Sequence, residues 1–321
     1  MDDPPVVAAV SCPRALAARP ARAKCLSGWF DVPGRVTKVG RNGVRRQRGR
    51  YPVTVSSAGT GFGPRRKIDT TVAHSARIWN YWLGGKDNFP VDRAAGDQFR
   101  ETFPEIVDGA RECRAFLVRA VTYLARDAGI RQFLDVGTGL PTSQNTHEVA
   151  QLAAPESRIV YVDNDPLVLV HARALLTSSP EGATDYIDAD LRAPDKILAG
   201  AAETLDLTRP TALMLLGILG HIGDDEGPGS IVRRLMDGLP SGSYLTICDA
   251  VPMSEAAVEA QRRYNENGAA PYHLRTPAAI ARFFDGLELL DPGVVDVTRW
   301  RPDPSRRRAP VQQFAGVGRK P

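Results

Sequence analysis

Residues 132–141, which read QFLDVGTGLP, combine a short apolar strand that carries one carboxylate with an immediate glycine turn. A second apolar strand at residues 158–162 ends on Asp163, which lies 24 residues after Gly139. Glycines let the backbone approach a ligand closely, and an acidic residue that ends the next strand can accept hydrogen bonds from both ribose hydroxyls. This layout predicts a nucleotide-type ligand site that includes Gly137, Thr138, Gly139 and Asp163.

The composition of the turn favours S-adenosylmethionine over a dinucleotide. A pyrophosphate site needs a third glycine and free N–H groups at the start of the helix, whereas Pro141 lies inside this turn and has no N–H to donate. S-adenosylmethionine has no phosphate, and its ammonium needs acceptors such as Asp135 or the turn carbonyls. Because glycine turns are widely shared, an NAD(P)-dependent oxidoreductase stays an alternative, although the sequence shows no obvious Tyr-x-x-x-Lys dyad.

The bulk properties exclude several classes of protein. The chain has 321 residues and 43% hydrophobic content, and no apolar stretch approaches the length of a membrane span. Its four cysteines are scattered and form no CxxC pair, so neither a zinc site nor a disulfide framework is indicated. We therefore expect a cytoplasmic protein without a metal site.

The charge is distributed unevenly along the chain. Residues 1–67 hold 14 lysines and arginines against 3 acidic residues, while the remainder holds 27 basic and 34 acidic residues. This difference predicts a basic, disordered extension over residues 1–66 and one folded domain over residues 67–321. Nucleic acid is disfavoured as a partner of the acidic domain. The extension is interpreted as a nucleic-acid-binding tail, as a solvated extension, or as the result of a wrongly chosen upstream start codon.

The domain alternates apolar strands with helical segments. This pattern predicts right-handed crossovers onto a parallel sheet, with an antiparallel pair formed by residues 287–297 and 311–317 at its edge. We therefore expect an α/β fold with a mostly parallel seven-stranded sheet, helices on both faces and an antiparallel C-terminal edge strand. The five parallel strands are predicted at residues 132–136, 158–163, 184–188, 211–216 and 243–249.

Residues 68–321 resemble the actinobacterial-type S-adenosylmethionine-dependent methyltransferases that were once catalogued as a domain of unknown function. The resemblance is carried by residues 75–89 (SARIWNYWLGGKDNF), 133–142, 147–150, 161–166, 188–192 and 314–320. It implies a Rossmann-like class I methyltransferase fold preceded by a helical lid, with S-adenosylmethionine as the cofactor and a small molecule as the methyl acceptor. A protein that binds the cofactor without turnover is the second hypothesis. The chain departs from the family at Asn80, where members usually carry an acidic residue, and in its basic extension.

The resemblance also implies roles for residues at the ends of the strands. Asp163, with its neighbour Asn164, is expected at the ribose, and Asp135 at the glycine turn or the methionine ammonium unless it is only a structural carboxylate. Asp190 is expected at the adenine amino group, with Leu191 over the ring, although Asp188 competes for that role. Leu216 and Gly217 end the fourth strand and are expected to flank the methionine arm.

Three further residues are candidates on chemical grounds. His221 can serve as a general base if the acceptor atom is a protonated oxygen or nitrogen, or it can order its loop by bonding Asp224 or Asp225. Tyr81 is predicted to point its hydroxyl into the pocket as a catalytic or cofactor-binding group. Lys86 is predicted either to hold the cofactor carboxylate or to be solvated. Trp79 and Trp82, three residues apart, are expected in the core rather than as a substrate platform.

Overall fold

Five apolar segments form the parallel part of one sheet in the computed structural model. They are β1 (Gln132–Val136), β2 (Arg158–Asp163), β3 (Ala183–Asp188), β4 (Ala212–Leu216) and β5 (Tyr244–Ala250), in the spatial order β3-β2-β1-β4-β5. The chain moves outward from β1 to β3 and then crosses back to place β4 on the other side of β1. Such a reversal opens a crevice at the carboxyl ends of the two central strands, where ligands bind in sheets of this kind.

The structure describes residues 68–175, 177–267, 270–305 and 308–321, all of which belong to the compact unit Gly61–Pro321. The extension predicted at residues 1–66 lies outside the described residues. No helix in the described ranges is long and apolar enough to cross a membrane.

The helices begin where local chemistry favours a helix start. The helices of the described residues are α1 (Ser75–Trp82), α2 (Pro90–Thr102), α3 (Ile106–Arg126), α4 (Thr146–Ala153), α5 (Pro166–Leu175), α6 (Pro194–Ala201), α7 (Pro228–Asp237), α8 (Glu255–Glu266) and α9 (Pro277–Ala281). The first residue of α2, α5, α6, α7 and α9 is proline, whose fixed φ suits a helix and whose missing N–H costs nothing there. Ser254 caps α8 and Thr276 caps α9, because each side chain accepts a backbone N–H group from the first turn of its helix.

The C-terminal part of the sheet differs in detail from the prediction. Strand β8 (Gln313–Arg319) pairs antiparallel with β5, and two short strands, β6 (Glu288–Leu289) and β7 (Val295–Asp296), pair with the other edge of β8. The mostly parallel sheet is confirmed, but it has eight strands in the described residues, and β8 lies inside it. The single strand predicted over 287–297 is interrupted because the sequence Asp291-Pro292-Gly293 forms a turn.

The helices that precede β1 are anchored to the sheet by buried charges. Arg77 in α1 is 4% exposed and donates to the carbonyl oxygens of Asp69 and Val72. Its Nε lies 3.5 Å from Oδ1 of Asp92 in α2 and 3.8 Å from Oδ2 of Asp165, which follows β2. Because each buried charge needs a partner, this cluster fixes α1 and α2 over the carboxyl edge of the sheet.

Candidate active site

A crevice of about 250 Å³ opens at the carboxyl ends of β1, β2 and β4 and is closed on the other side by α1 and α3. Most of the residues predicted for the site lie in its walls. They are Asp135, Gly137, Thr138, Gly139, Asp163, Asn164, Asp190, Leu191, Leu216, Gly217 and His221.

The glycine turn after β1 requires glycine at two positions for different reasons. Gly137 and Gly139 both adopt the left-handed conformation, with φ of 76° and 66°. A Cβ at residue 137 would lie 2.6 Å from the Cβ of Ile218, whereas a Cβ at residue 139 would meet nothing within 4 Å. Gly137 therefore allows the close approach of the segment after β4, and Gly139 supplies only the turn conformation.

Asp163 at the end of β2 is held by backbone amides. Its Oδ2 accepts the N–H of Gly139 at 2.8 Å, and its Oδ1 accepts the N–H of Asp165 at 2.9 Å. Burial raises the pKa of Asp163, and these two hydrogen bonds oppose that effect. Each carboxylate oxygen can accept more than one hydrogen bond, so Asp163 fixes the glycine turn and still presents acceptors to the crevice.

Asp135 is a buried carboxylate of the crevice whose pKa is raised. It is 5% exposed, and its Oδ2 accepts the hydroxyl of Thr146 at 2.6 Å. Burial raises the pKa of Asp135 to about 6, while the Thr146 hydrogen bond and the charge of Arg114 act in the opposite direction. Arg114 donates to the Ser143 carbonyl and to Oδ1 of Asn145. Asp135 is therefore ionised at neutral pH, and a cationic ligand group would stabilise it further.

Asp190 and Asn164 form a second polar edge of the crevice. Asn164 Nδ2 donates to Asp190 Oδ2 at 3.0 Å, and the backbone N–H of Arg192 donates to Asp190 Oδ1 at 2.8 Å. Burial alone would raise the pKa of Asp190, but the hydrogen bonds from Arg192 and Asn164 lower it below its usual value. Asp188 is exposed and lies outside the crevice, so of the two competing aspartates the structure brings Asp190 to the site.

His221 belongs to a short 3₁₀ turn, Leu219–His221, directly after β4. Its Nδ1 lies 2.9 Å from the carbonyl oxygen of Pro271, and its ring packs edge-on against Tyr272 with centroids 5.1 Å apart. Burial lowers the pKa of His221, so the ring is neutral at neutral pH. A carbonyl can only accept, so we assign the proton to Nδ1 and the free lone pair to Nε2.

The alternative prediction, that His221 orders its loop by bonding Asp224 or Asp225, names the wrong partner, because His221 lies against the Pro271 carbonyl. Asp224 pairs instead with Arg275, at 2.7 Å from the guanidinium. Arg275 is 7% exposed and also donates to the carbonyl oxygens of Leu219 and Ile222, so this arginine orders the loop.

The structure places two predicted site residues outside the walls of the crevice. Tyr81 donates its hydroxyl to Asp97 Oδ1 at 2.8 Å, because it lies on a different face of α1 from Trp79. Lys86 is exposed and does not line the crevice. The loop that carries Lys86 closes on Asn80 instead, whose Oδ1 accepts from the backbone N–H of Asp87 and from the Asn88 side chain.

Residues of the two closing helices were missed by sequence reasoning. From α1, Trp79 and Asn80 line the crevice, whereas Trp82 is buried against Phe99 as predicted for a core residue. From α3, Ala110, Cys113, Arg114 and Leu117 line it. Their spacing of three, four and seven residues marks one helix face, and this periodicity was the available signal.

A contact between two cysteines, one in α3 and one in β5, could not be predicted from the spacing of cysteines in the sequence. Cys113 Sγ lies 3.2 Å from Sγ of the buried Cys248 in β5, although the two residues are 135 positions apart. Both cysteines are free. Proximity of this kind arises from packing between α3 and the sheet, so it leaves no local pattern in the chain.

Known proteins resemble this chain over most of its length. A sequence model of the S-adenosyl methyltransferase family matches residues 62–321. The chain belongs to this family. A DUF574 family protein from Streptomyces avermitilis is 46% identical, with a TM-score of 0.77 over 79% of this chain and 100% of that protein. A candidate methyltransferase from Thermobifida fusca is 42% identical, with a TM-score of 0.73 over 79% of this chain and 97% of that protein.

No match was found among proteins of curated function. Family membership makes the chain an S-adenosylmethionine-dependent methyltransferase and makes S-adenosylmethionine its cofactor. The resemblance inferred from the sequence is thereby confirmed.

Proposed function

We propose that this methyltransferase transfers the methyl group of S-adenosylmethionine to an oxygen or nitrogen atom of a small molecule, with His221 as the general base. The observation that supports this proposal is the juxtaposition, in one crevice, of three carboxylates and a neutral histidine. The carboxylates are those of Asp135, Asp163 and Asp190.

The residues of the crevice suit the cofactor in charge and in shape. Asp163 would accept the ribose hydroxyls, and Asp190 with Leu191 would contact the adenine. Asp135 would face the ammonium, because a buried carboxylate gains most from a cation in a water-poor site. The two arginines of the crevice are already engaged, Arg114 by Asn145 and Arg192 by Glu226. Pro141 in the glycine turn has no N–H to offer a phosphate, which disfavours a dinucleotide.

The bound cofactor supplies an electrophilic methyl group on a positively charged sulfur. The protein's task is to align an acceptor atom with that methyl group, since orientation alone supplies much of the acceleration. His221 presents Nε2 as a base to the proton of the acceptor. Pro271 holds the opposite nitrogen, so the ring is oriented for this transfer and its protonated form would keep a hydrogen-bond partner.

Replacement of His221 by asparagine tests the proposed base. The asparagine amide can keep a donor near the Pro271 carbonyl but has no basic nitrogen. We expect turnover, measured as S-adenosylhomocysteine release with a panel of phenols, alcohols and amines, to fall by about 10²–10⁴-fold. Affinity for S-adenosylhomocysteine in calorimetry should stay unchanged.

The matched control is His273→Asn, because His273 is exposed and does not line the crevice. In the wild type, turnover at saturating S-adenosylmethionine should also decline on the acid side of neutrality as His221 becomes protonated, and this decline should be absent from the residual activity of the variant at saturating cofactor. Full turnover by His221→Asn would overturn the role of His221.

A further inference from the structure

A second, smaller cavity of about 50 Å³ adjoins the cofactor crevice on the side of the closing helices. Ser75, Trp79 and His221 line both spaces. The proposed base therefore stands where the two spaces meet. We call the smaller space the aromatic cavity.

Several aromatic rings line the aromatic cavity. Trp82 and Phe99 have ring centroids 5.3 Å apart, and Phe99 lies 6.1 Å from Tyr264 of α8 in an edge arrangement. Trp79 packs edge-on against Trp82 at 5.8 Å. Such arrangements offer both ring faces and ring edges to a planar guest.

No aspartate, glutamate, lysine or arginine is among the residues that line the aromatic cavity within the described part of the chain. Its histidine, His221, is neutral because burial lowers the pKa of the ring. A charged ligand would lose its hydration there without gaining a counter-charge, which is strongly unfavourable. The cavity therefore selects for an uncharged guest.

One polar group of the aromatic cavity has no partner. Gln312 Nε2 donates to Ser254 Oγ at 2.6 Å, whereas Oε1 of the same amide is buried and accepts no hydrogen bond. Rotation of the amide by half a turn would only transfer the unpaired atom to the nitrogen. A buried acceptor without a partner costs about 1–3 kcal/mol, and an additional uncharged donor group on a larger phenol can recover that energy.

We propose that the methyl acceptor is an uncharged phenol that binds where the two spaces meet, with its hydroxyl at His221 and its apolar end in the aromatic cavity. This inference rests on the proposed function and specifies its substrate class. The apolar end of the phenol packs among Trp79, Trp82 and Phe99. The phenol oxygen loses a proton to Nε2 of His221 and gains the methyl group. The electron pair of the broken carbon–sulfur bond stays on the sulfur.

Binding of three small phenols to the protein saturated with S-adenosylhomocysteine tests the proposal. We use 4-ethylphenol as the uncharged probe, 4-hydroxybenzoate as its anionic analogue and tyramine as its cationic analogue, with ligand-observed NMR and calorimetry as readouts. We expect 4-ethylphenol to bind at least about tenfold more tightly than either charged analogue.

Two alanines on α8 give a matched pair of variants. Ala257 is buried and lines the aromatic cavity, whereas Ala256 is its exposed neighbour. Ala257→Leu should fill the cavity and weaken 4-ethylphenol binding by about tenfold or more, while Ala256→Leu should bind it as the wild type does. Both variants should retain wild-type affinity for S-adenosylhomocysteine, which also reports that they are folded.

The outcomes separate the inference from the proposed function. If S-adenosylhomocysteine binds but 4-ethylphenol does not, or if the charged analogues bind equally well, the assignment of the aromatic cavity is overturned and the cofactor site stands. Equal phenol binding by Ala257→Leu and Ala256→Leu would overturn it as well. If the wild type fails to bind S-adenosylhomocysteine, the proposed function itself falls.

Discussion

Acidification should release the cofactor product through Asp135. The pKa of this buried carboxyl is raised to about 6, chiefly by burial. The ammonium of S-adenosylhomocysteine interacts favourably only with the ionised form. Affinity should therefore be constant above about pH 6 and should fall as the pH drops through that value, by about tenfold for each further pH unit, because binding then displaces one proton.

Calorimetry with S-adenosylhomocysteine between about pH 4.5 and pH 8 measures this profile directly, with stability checked at each pH. Asp135→Asn should bind weakly at all pH values and should lose the break near pH 6. Thr146→Val should shift the break upward by about one pH unit, because the Thr146 hydroxyl donates to the ionised carboxylate at 2.6 Å.

The Asp135→Asn variant is needed because a second carboxyl could cause the same pH dependence. Burial also raises the pKa of Asp163, which lines the same crevice. If the break near pH 6 persists unchanged in Asp135→Asn, another group causes it, and the assignment of Asp135 to the ammonium is refuted. A flat profile in the wild type would refute the reasoning from burial.

Three further substitutions probe the framework of the site. Asp163→Ala should lower both S-adenosylhomocysteine affinity and the melting temperature. It leaves the N–H groups of Gly139 and Asp165 without a hydrogen-bond acceptor, at a cost of about 1–3 kcal/mol each. An unchanged affinity in calorimetry together with an unchanged melting temperature would contradict this expectation. Gly137→Ala should lower the free energy of unfolding in urea more than Gly139→Ala does. Both variants place alanine in a left-handed conformation, which costs about 1–2 kcal/mol, but only the alanine at residue 137 also collides with Ile218. Equal losses of stability would contradict the close approach of Gly137 to Ile218. Arg77→Met should cost about 3–5 kcal/mol in the same assay, because it leaves buried carboxylates without their cation, whereas Arg93→Met at an exposed position should cost little. Similar stability of these two arginine variants would show that the buried cluster is not needed to hold α1.

The strands and the turn of the cofactor crevice were predictable because their signals are local. Residues 132–136 and 158–163 are strands at the predicted positions, and Gly137, Gly139 and Asp163 lie together as the spacing indicated. Parallel strands bring their carboxyl ends to one edge of a sheet, so any residue that ends such a strand is placed by topology alone.

The closing helices were less predictable because a helix can present any of its faces to the sheet. Tyr81 and Trp79 are two residues apart on α1, yet only Trp79 reaches the crevice. Lys86 lies in the family-specific run, but the Asn80 side chain closes that loop on itself and leaves Lys86 in solvent. Composition and spacing cannot distinguish a loop that binds a ligand from one that hydrogen-bonds to the helix before it.

By itself the sequence determined the order of strands and helices, the glycine turn and the acidic residues at the strand ends, because each depends on residues close together in the chain. Only the tertiary structure decided that the charge of Arg114 stabilises the ionised form of Asp135 and that the Pro271 carbonyl orients His221. It alone also brought rings from α1, α2 and α8 together around an uncharged cavity. These contacts join residues that are far apart in sequence. They exist because packing buries apolar surface and pairs buried polar groups, and both of these effects act across the whole domain.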